Sequence, residues 1–243
     1  VVTVSVFPAV EKLVYLVWDR PSVDGAALRA RFLDEIAPAL LALGPHQLAM
    51  HLDDDEAPIP GPAPAPGHEL PVRAAVSVFV DAHDHRAPYE EVLADVGERR
   101  AGYLVSEAIW SEYGDNGRRG PRDWPDGERS PGISTFSLVH RNPAFDERTF
   151  REFWHGHQSP MSEAVQPRWR YVRNTVVHPV TPGAPPVDGI VHEAWPSIEL
   201  VGDSIAFHND DPENITVMLD SVMQVFDISR LRSFALSEYL LKT

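Results

Sequence analysis

Stretches of this chain repeat one another in the same order. VYLVWDRP (14–21) and FSLVHRNP (136–143) share an apolar run, an arginine near its end and a closing proline, 122 residues apart. The same spacing carries LRARFLDEIAP (28–38) onto FREFWHGHQSP (150–160), placing Leu28 over Phe150, Phe32 over Trp154 and Pro38 over Pro160. Further along, GYLVSEAIW (102–110) resembles SFALSEYLL (233–241), with Ser106-Glu107 opposite Ser237-Glu238. A unit that recurs across half a chain must pack against its own copy, which narrows the folds available.

Period and punctuation give both halves one order of elements. An apolar strand (13–18; 134–140) passes through a Pro turn into a helix (24–43; 146–159), with Asp24 and Asp146 as N-caps. A second strand (46–54; 170–178), a Pro-rich loop (57–67; 179–187) and a third strand (73–81; 188–197) follow. A second helix (88–98; about 211–225) and a fourth strand close each half. The expected fold class is therefore α+β, with two ferredoxin-like βαββαβ repeats whose bare sheet faces meet in a pseudo-dimeric α+β barrel. The expected division is 1–113 for the first repeat, 114–132 for a Gly-, Pro- and charge-rich linker loop, and 133–243 for the second repeat.

Composition removes several functions. A balance of 21 basic and 36 acidic residues, net −15, repels phosphate backbones and anionic membrane surfaces, so no nucleic-acid or membrane partner is expected. The absence of cysteine excludes disulfides, thiolate nucleophiles and Cys-based metal centres. No apolar run reaches membrane-spanning length, and the start VVTVSVFPAVEK lacks the basic and apolar regions of a signal peptide, so a cytoplasmic location is expected. There is no phosphate loop, dinucleotide fingerprint or nucleophile elbow, so no cofactor is implied. HLDDDE (51–56) and HDHR (83–86) carry metal-ligand residue types, yet read as solvated turns at strand ends, and no metal is expected.

Phe150, Phe153, Trp154, His157 and Pro160, then Arg170-Tyr171-Val172-x-Asn174, then Asp188-Gly189-x-x-x-Glu193-x-Trp195, form a pattern that resembles the EthD-type branch of the dimeric α+β barrels. The first half matches only in outline, with Glu35 where the second half has His157. The resemblance implies one intact site, in the second half, and a degenerate first half acting as scaffold. Relatives of this type include proteins that assist ether degradation and cofactor-free decarboxylases of polyketide acids. More distant ones include cyclases and cofactor-independent monooxygenases, so the fold alone does not name a reaction.

At about 100° per residue, Phe150, Phe153, Trp154 and His157 share one helical face, and His155 points the other way. Pro160 should end or kink this helix just past His157, placing its ring at a helix C-terminus. On this geometry alone His157 reads as a core histidine bonded to backbone; the resemblance, which marks this helix position, makes it the expected general acid or base. Tyr171 and Asn174 have opposite strand parity, so only one of them faces the helix layer, and the sequence does not say which. Tyr171 suits proton or oxyanion donation and Asn174 orientation of a carbonyl or phenol. His178 shares parity with Asn174. His140 stands where the first half has Trp18, which fits either a pocket wall or a strand end. Glu193 shares a face with Trp195 and either pairs with Arg170 or Arg173 or has a raised pKa.

The expected activity is a cofactor-independent lyase acting by decarboxylation, dehydration or retro-aldol cleavage on a small aromatic or phenolic molecule. His157, Tyr171 and Glu193 would be its catalytic residues, and His140, Phe153, Trp154, Asn174, His178 and Trp195 would line the substrate. Two alternatives stand beside it: a cofactor-free oxidoreductase or auxiliary protein of ether or aromatic degradation, and a non-catalytic carrier of a hydrophobic metabolite. Whether the barrel pairs again into a homodimer is left open.

Overall fold

A computed structural model describes residues 10–243, so most of the N-terminal stretch weighed as a signal peptide lies outside the described residues. Among the described residues eight strands form: β1 (Glu11–Trp18), β2 (Gln47–Leu52), β3 (Val72–Val80), β4 (Arg99–Ser111), β5 (Ile133–Val139), β6 (Arg170–Pro179), β7 (Gly189–Trp195) and β8 (Arg232–Lys242). All neighbours are antiparallel, and the order β1-β3-β2-β8-β5-β7-β6-β4 closes on itself.

This closure corrects the expected fold class. The fold is a single closed eight-stranded antiparallel β-barrel with subordinate helices, and a pair of ferredoxin-like α+β repeats does not describe it. The decisive ladders run between the halves of the chain. β2 pairs with β8, setting His51 opposite Glu238, and β4 pairs with β6, setting Glu107 opposite Asn174. Each would-be sheet edge is consumed in these ladders, so no separate sheets with bare faces exist. The helices are short: α1 (Gly25–Ala30), α2 (Ala37–Ala42), α3 (Ala87–Val92), α4 (Glu147–Phe153), α5 (Ser159–Val165), α6 (Ile198–Gly202) and α7 (Pro212–Val225). The stretch expected as a helix over 88–98 shrinks to the six residues of α3. Among the described residues no helix is long and apolar enough to cross a membrane.

Alternation along the strands sends one set of side chains into the barrel and the other toward the helices. Inside lie Leu16, Ala75, Tyr103, Phe136, Ile190 and Leu236, which fill one end. Outside, Leu28, Phe32 and Leu40 cover the first half's strands, and Phe150, Trp154 and Phe226 cover the second's. Asp24 and Asp146 cap their helices, accepting from the backbone N–H of Ala27 and Thr149.

One local feature decides where the site residues point. Between α4 and α5 the chain makes a π-helical turn, Trp154–Gln158, in which Ser159 N–H bonds to Trp154 C=O five residues back. Pro160 has no N–H to give Gly156, and its ring would press on that carbonyl in an α-helix; the wider turn removes the conflict. The same turn occurs over Arg31–Ile36, where Ala37 N–H bonds to Phe32 C=O ahead of Pro38. The helix expected to stop near Pro160 therefore runs on to Val165.

Candidate functional site

Trp154, Gln158 and Ser162 of the bulged helix roof a cavity of about 470 Å³ against the outer face of β5, β6 and β7. Val139, Tyr171, Val191 and Glu193 form its floor, and Met218 and Val222 of α7 form one side. Its walls are mostly apolar, with Gln158, Ser162, Gln166, Arg168, Glu193, His208 and several other serines as the polar groups, the pattern of a small-molecule site.

The polar wall is built around Arg168, whose residue is only 1% exposed. Its Nη1 pairs with Glu193 and its Nη2 donates to Ser162 Oγ at 2.8 Å. The guanidinium also lies 4.2 Å from the centre of the Tyr171 ring. Glu193 is thus ion-paired, as one reading of the sequence expected, but with Arg168 and not with Arg170 or Arg173. Thr135 Oγ1 donates to Glu193 and accepts from Trp195 Nε1 at 2.9 Å. Trp195 itself is fully buried behind Phe207, with ring centres 4.4 Å apart.

Tyr171, not Asn174, faces the helix layer. Ser159 Oγ spends its hydrogen on Trp154 C=O at 2.9 Å, so at the 3.2 Å contact with Tyr171 the phenol donates. Burial raises the Tyr171 pKa, and the hydroxyl stays protonated on Ser159. Asn174 points into the barrel, where its Nδ2 donates to Ile190 C=O at 3.1 Å.

The helical-wheel placement of His157 is corrected. Inserting a π turn after Phe153 delays the rotation, so Gln158 follows Phe150 and Trp154 onto the buried face, while His157 is exposed. His157 packs on Phe153, ring centres 4.7 Å apart, and neither lines the cavity. His155 is the more buried of the two imidazoles. Its pKa falls to about 4 through burial and the nearby charges of Arg173 and Arg151. Glu35, one repeat away from His157, is likewise exposed.

His140 and His178 sit elsewhere, on a second pocket of about 390 Å³ at one end of the barrel beside Asp188 and Arg230. His140 is buried and its pKa falls to about 4, chiefly from burial and then from Arg230. His178 is exposed, edge-on to His83 at 5.4 Å. Of the nine residues marked in the sequence, only Trp154, Tyr171 and Glu193 meet on the cavity wall, with Trp195 directly behind.

His208 was not among the residues marked in the sequence. It lies on the cavity wall in the turn between α6 and α7, largely buried. Its Nδ1 is 2.7 Å from Ser204 C=O, and a carbonyl only accepts, so Nδ1 carries the hydrogen and the neutral ring keeps its lone pair on Nε2. The turn is held by two consecutive left-handed residues, Asn209 (φ 59°) and Asp210 (φ 57°). Asn214 Nδ2 donates to His208 C=O, and Asn209 is bonded to Ala164 and to Arg118 of the 114–132 loop. The signal available was AFHND, a histidine followed by the two residue types that, after glycine, best tolerate left-handed backbone.

A second polar group lies inside the barrel, where His51, His192 and Glu238 meet with Arg170 beside them. Burial drives the His192 pKa down to about 3, and His51 down as well. Burial alone would raise Glu238, but hydrogen bonds from His192 and His51 and the charge of Arg170 outweigh it and hold the carboxylate ionised.

No family model matches the sequence, and no curated protein matches it. Solved structures share the fold. A protein described as anthrone oxidase-like superposes with a TM-score of 0.59 at 11% identity, covering 98% of this chain and 95% of its own. A candidate monooxygenase from Fusobacterium nucleatum subsp. nucleatum superposes at 0.54 with 7% identity, covering 98% and 94%. At such identities the likeness is one of fold alone, and it does not single out the EthD branch.

Proposed function

We propose that the protein is a cofactor-independent enzyme that moves a proton on a small aromatic or phenolic molecule held between the barrel and α4–α5, with lyase-type cleavage following. The observation that carries this reading is the free Nε2 of His208 on the wall of a mostly apolar cavity that Arg168 also lines. His208 takes a proton from the substrate, and its Nδ1–H bond to Ser204 C=O stabilises the imidazolium that forms. Arg168 faces the anion that develops, in a site where little water weakens the attraction. Glu193, Ser162 and the Tyr171 ring hold the guanidinium in place. Tyr171 acts here as wall and support, because its hydroxyl is committed to Ser159. Loss of CO₂ or of an aldehyde leaves a carbanion or enolate that takes the proton back from His208; in a dehydration the anion expels hydroxide, which takes that proton and leaves as water.

A second reading draws on the descriptions of the two solved neighbours, an oxidase-like protein and a candidate monooxygenase. The same anion, met by O₂, would be oxidised instead of cleaved. Incubation with a panel of phenolic acids and aryl aldols, followed by mass spectrometry and an oxygen electrode, separates the two. Loss of a fragment without O₂ uptake supports the lyase; one O₂ per substrate supports the oxidation. Binding with neither change would leave a carrier and overturn both.

A further inference from the structure

We propose that His51, His192 and Glu238 form a binding site for a divalent first-row transition-metal ion inside the barrel, separate from the cavity under the helices. The three residues come from β2, β7 and β8 and are 2%, 4% and 2% exposed. His51 Nε2 and His192 Nε2 are 2.9 Å apart, and Glu238 Oε2 lies 3.0 Å from His192 Nε2 and 3.4 Å from His51 Nε2. Ligand bonds of about 2.1 Å to a common ion separate two donor atoms by about 3.0 Å at a right angle and about 3.4 Å at the tetrahedral angle. The triangle therefore has the size of one face of a coordination sphere, and two imidazoles with one carboxylate suit iron(II), cobalt(II) or zinc.

The surroundings fit the same role. Glu238 Oε1 accepts from Tyr113 OH at 2.9 Å and from Ser130 Oγ at 2.7 Å, which aims Oε2 at the two imidazoles. His51 Nδ1 is buried without a partner, free to hold the hydrogen that ligation through Nε2 requires. In the contacting ionic cluster, Lys12 and Arg170 face Glu107, Glu112 and Glu238, so two cations meet three carboxylates and one negative charge is left over. An entry path exists: His51, His192 and Arg170 line a cavity of about 310 Å³ that also touches Glu107, Glu112 and Lys242. Three protein ligands would leave positions on the ion open toward that cavity.

One group competes. Arg170 Nη1 is 3.1 Å from His192 Nδ1 and can only donate, so the metal-free ring keeps its hydrogen on Nε2, toward Glu238 and His51. Ligation moves that hydrogen to Nδ1 and leaves the guanidinium on Glu112 and Glu238, already 2.6 and 3.3 Å away.

The test is titration of the full chain, stripped with chelator, by Co²⁺ and then Zn²⁺ at neutral pH. Calorimetry and the visible d–d absorption of cobalt are the readouts. The expected result is one saturable equivalent per chain, weakened at least ~100-fold in His51→Gln and in Glu238→Gln and unchanged in the surface variant His157→Asn, since loss of a ligand costs more than loss of its supporting bond. Circular dichroism checks that the buried variants fold. If they do not, ¹⁵N-resolved histidine spectra of the wild type decide, because Co²⁺ must shift the His51 and His192 rings first. Absence of saturable binding, binding that survives both variants, or shifts at other histidines would overturn the proposal and leave the triad a hydrogen-bonded network only.

Discussion

Trp154 packs so closely over Gly189 that a Cβ on Gly189 would stand 2.5 Å from Trp154 Cη2 and 2.8 Å from Cζ3. The indole roofs the cavity, so the glycine on β7 sets how deep that roof can sit. Gly189→Ala should cost about 1–3 kcal/mol in urea unfolding, the usual price of overpacking a close-fitted core. Gly156→Ala, with nothing within 4 Å of its added Cβ, should instead raise stability by up to about 1 kcal/mol through helix propensity. A neutral Gly189→Ala would show that Trp154 is not pinned there.

Acid should weaken the fold well before the carboxylates titrate. His140 and His155 are held to about 4, chiefly by burial, against the ordinary 6.5 they regain on unfolding. Between those values the unfolded chain binds more protons than the folded one, so stability falls as the pH drops from about 6.5 to about 4. Urea midpoints across this window should decline for the wild type and decline less steeply for His155→Gln. A flat wild-type profile between pH 6.5 and 4 would contradict the burial assigned to both rings.

Arg168 is the most consequential single charge near the cavity. Its pairing with Glu193 and its bond to Ser162 use separate ends of the fork, which a lysine cannot reproduce. Arg168→Met should destabilise by about 3–5 kcal/mol, as expected when one partner of a buried pair is removed. Arg168→Lys should recover only part of that loss. Thermal melts of the two variants check it, and a wild-type melting temperature for Arg168→Met would mean the pair contributes nothing.

How far the sequence could be read follows from which forces were local. Asp24, Asp146 and the strand alternation act over a few residues, and the caps and strands form where those signals stand. The fold class was misjudged because edge pairing joins residues far apart, such as His51 with Glu238, and no local period reports it. The facing of the 150–160 helix was misread at a single turn. The wheel assumed 3.6 residues per turn through Pro160, while the π turn before it exchanged His157 for Gln158 on the buried face. His208 was missed for another reason: what singles it out is a hydrogen bond to Ser204 and two left-handed residues after it, which have no hydrophobic period.

The central claim is that proton transfer belongs to His208 and not to the histidine on the bulged helix. With a phenolic substrate from the panel, kcat/KM should be measured for His208→Gln and His157→Asn side by side. His208→Gln should lose ~10²–10⁴-fold, the usual contribution of one positioned acid–base group, while His157→Asn stays within a few-fold of wild type. Full activity in His208→Gln, or a comparable loss in His157→Asn, would contradict the account.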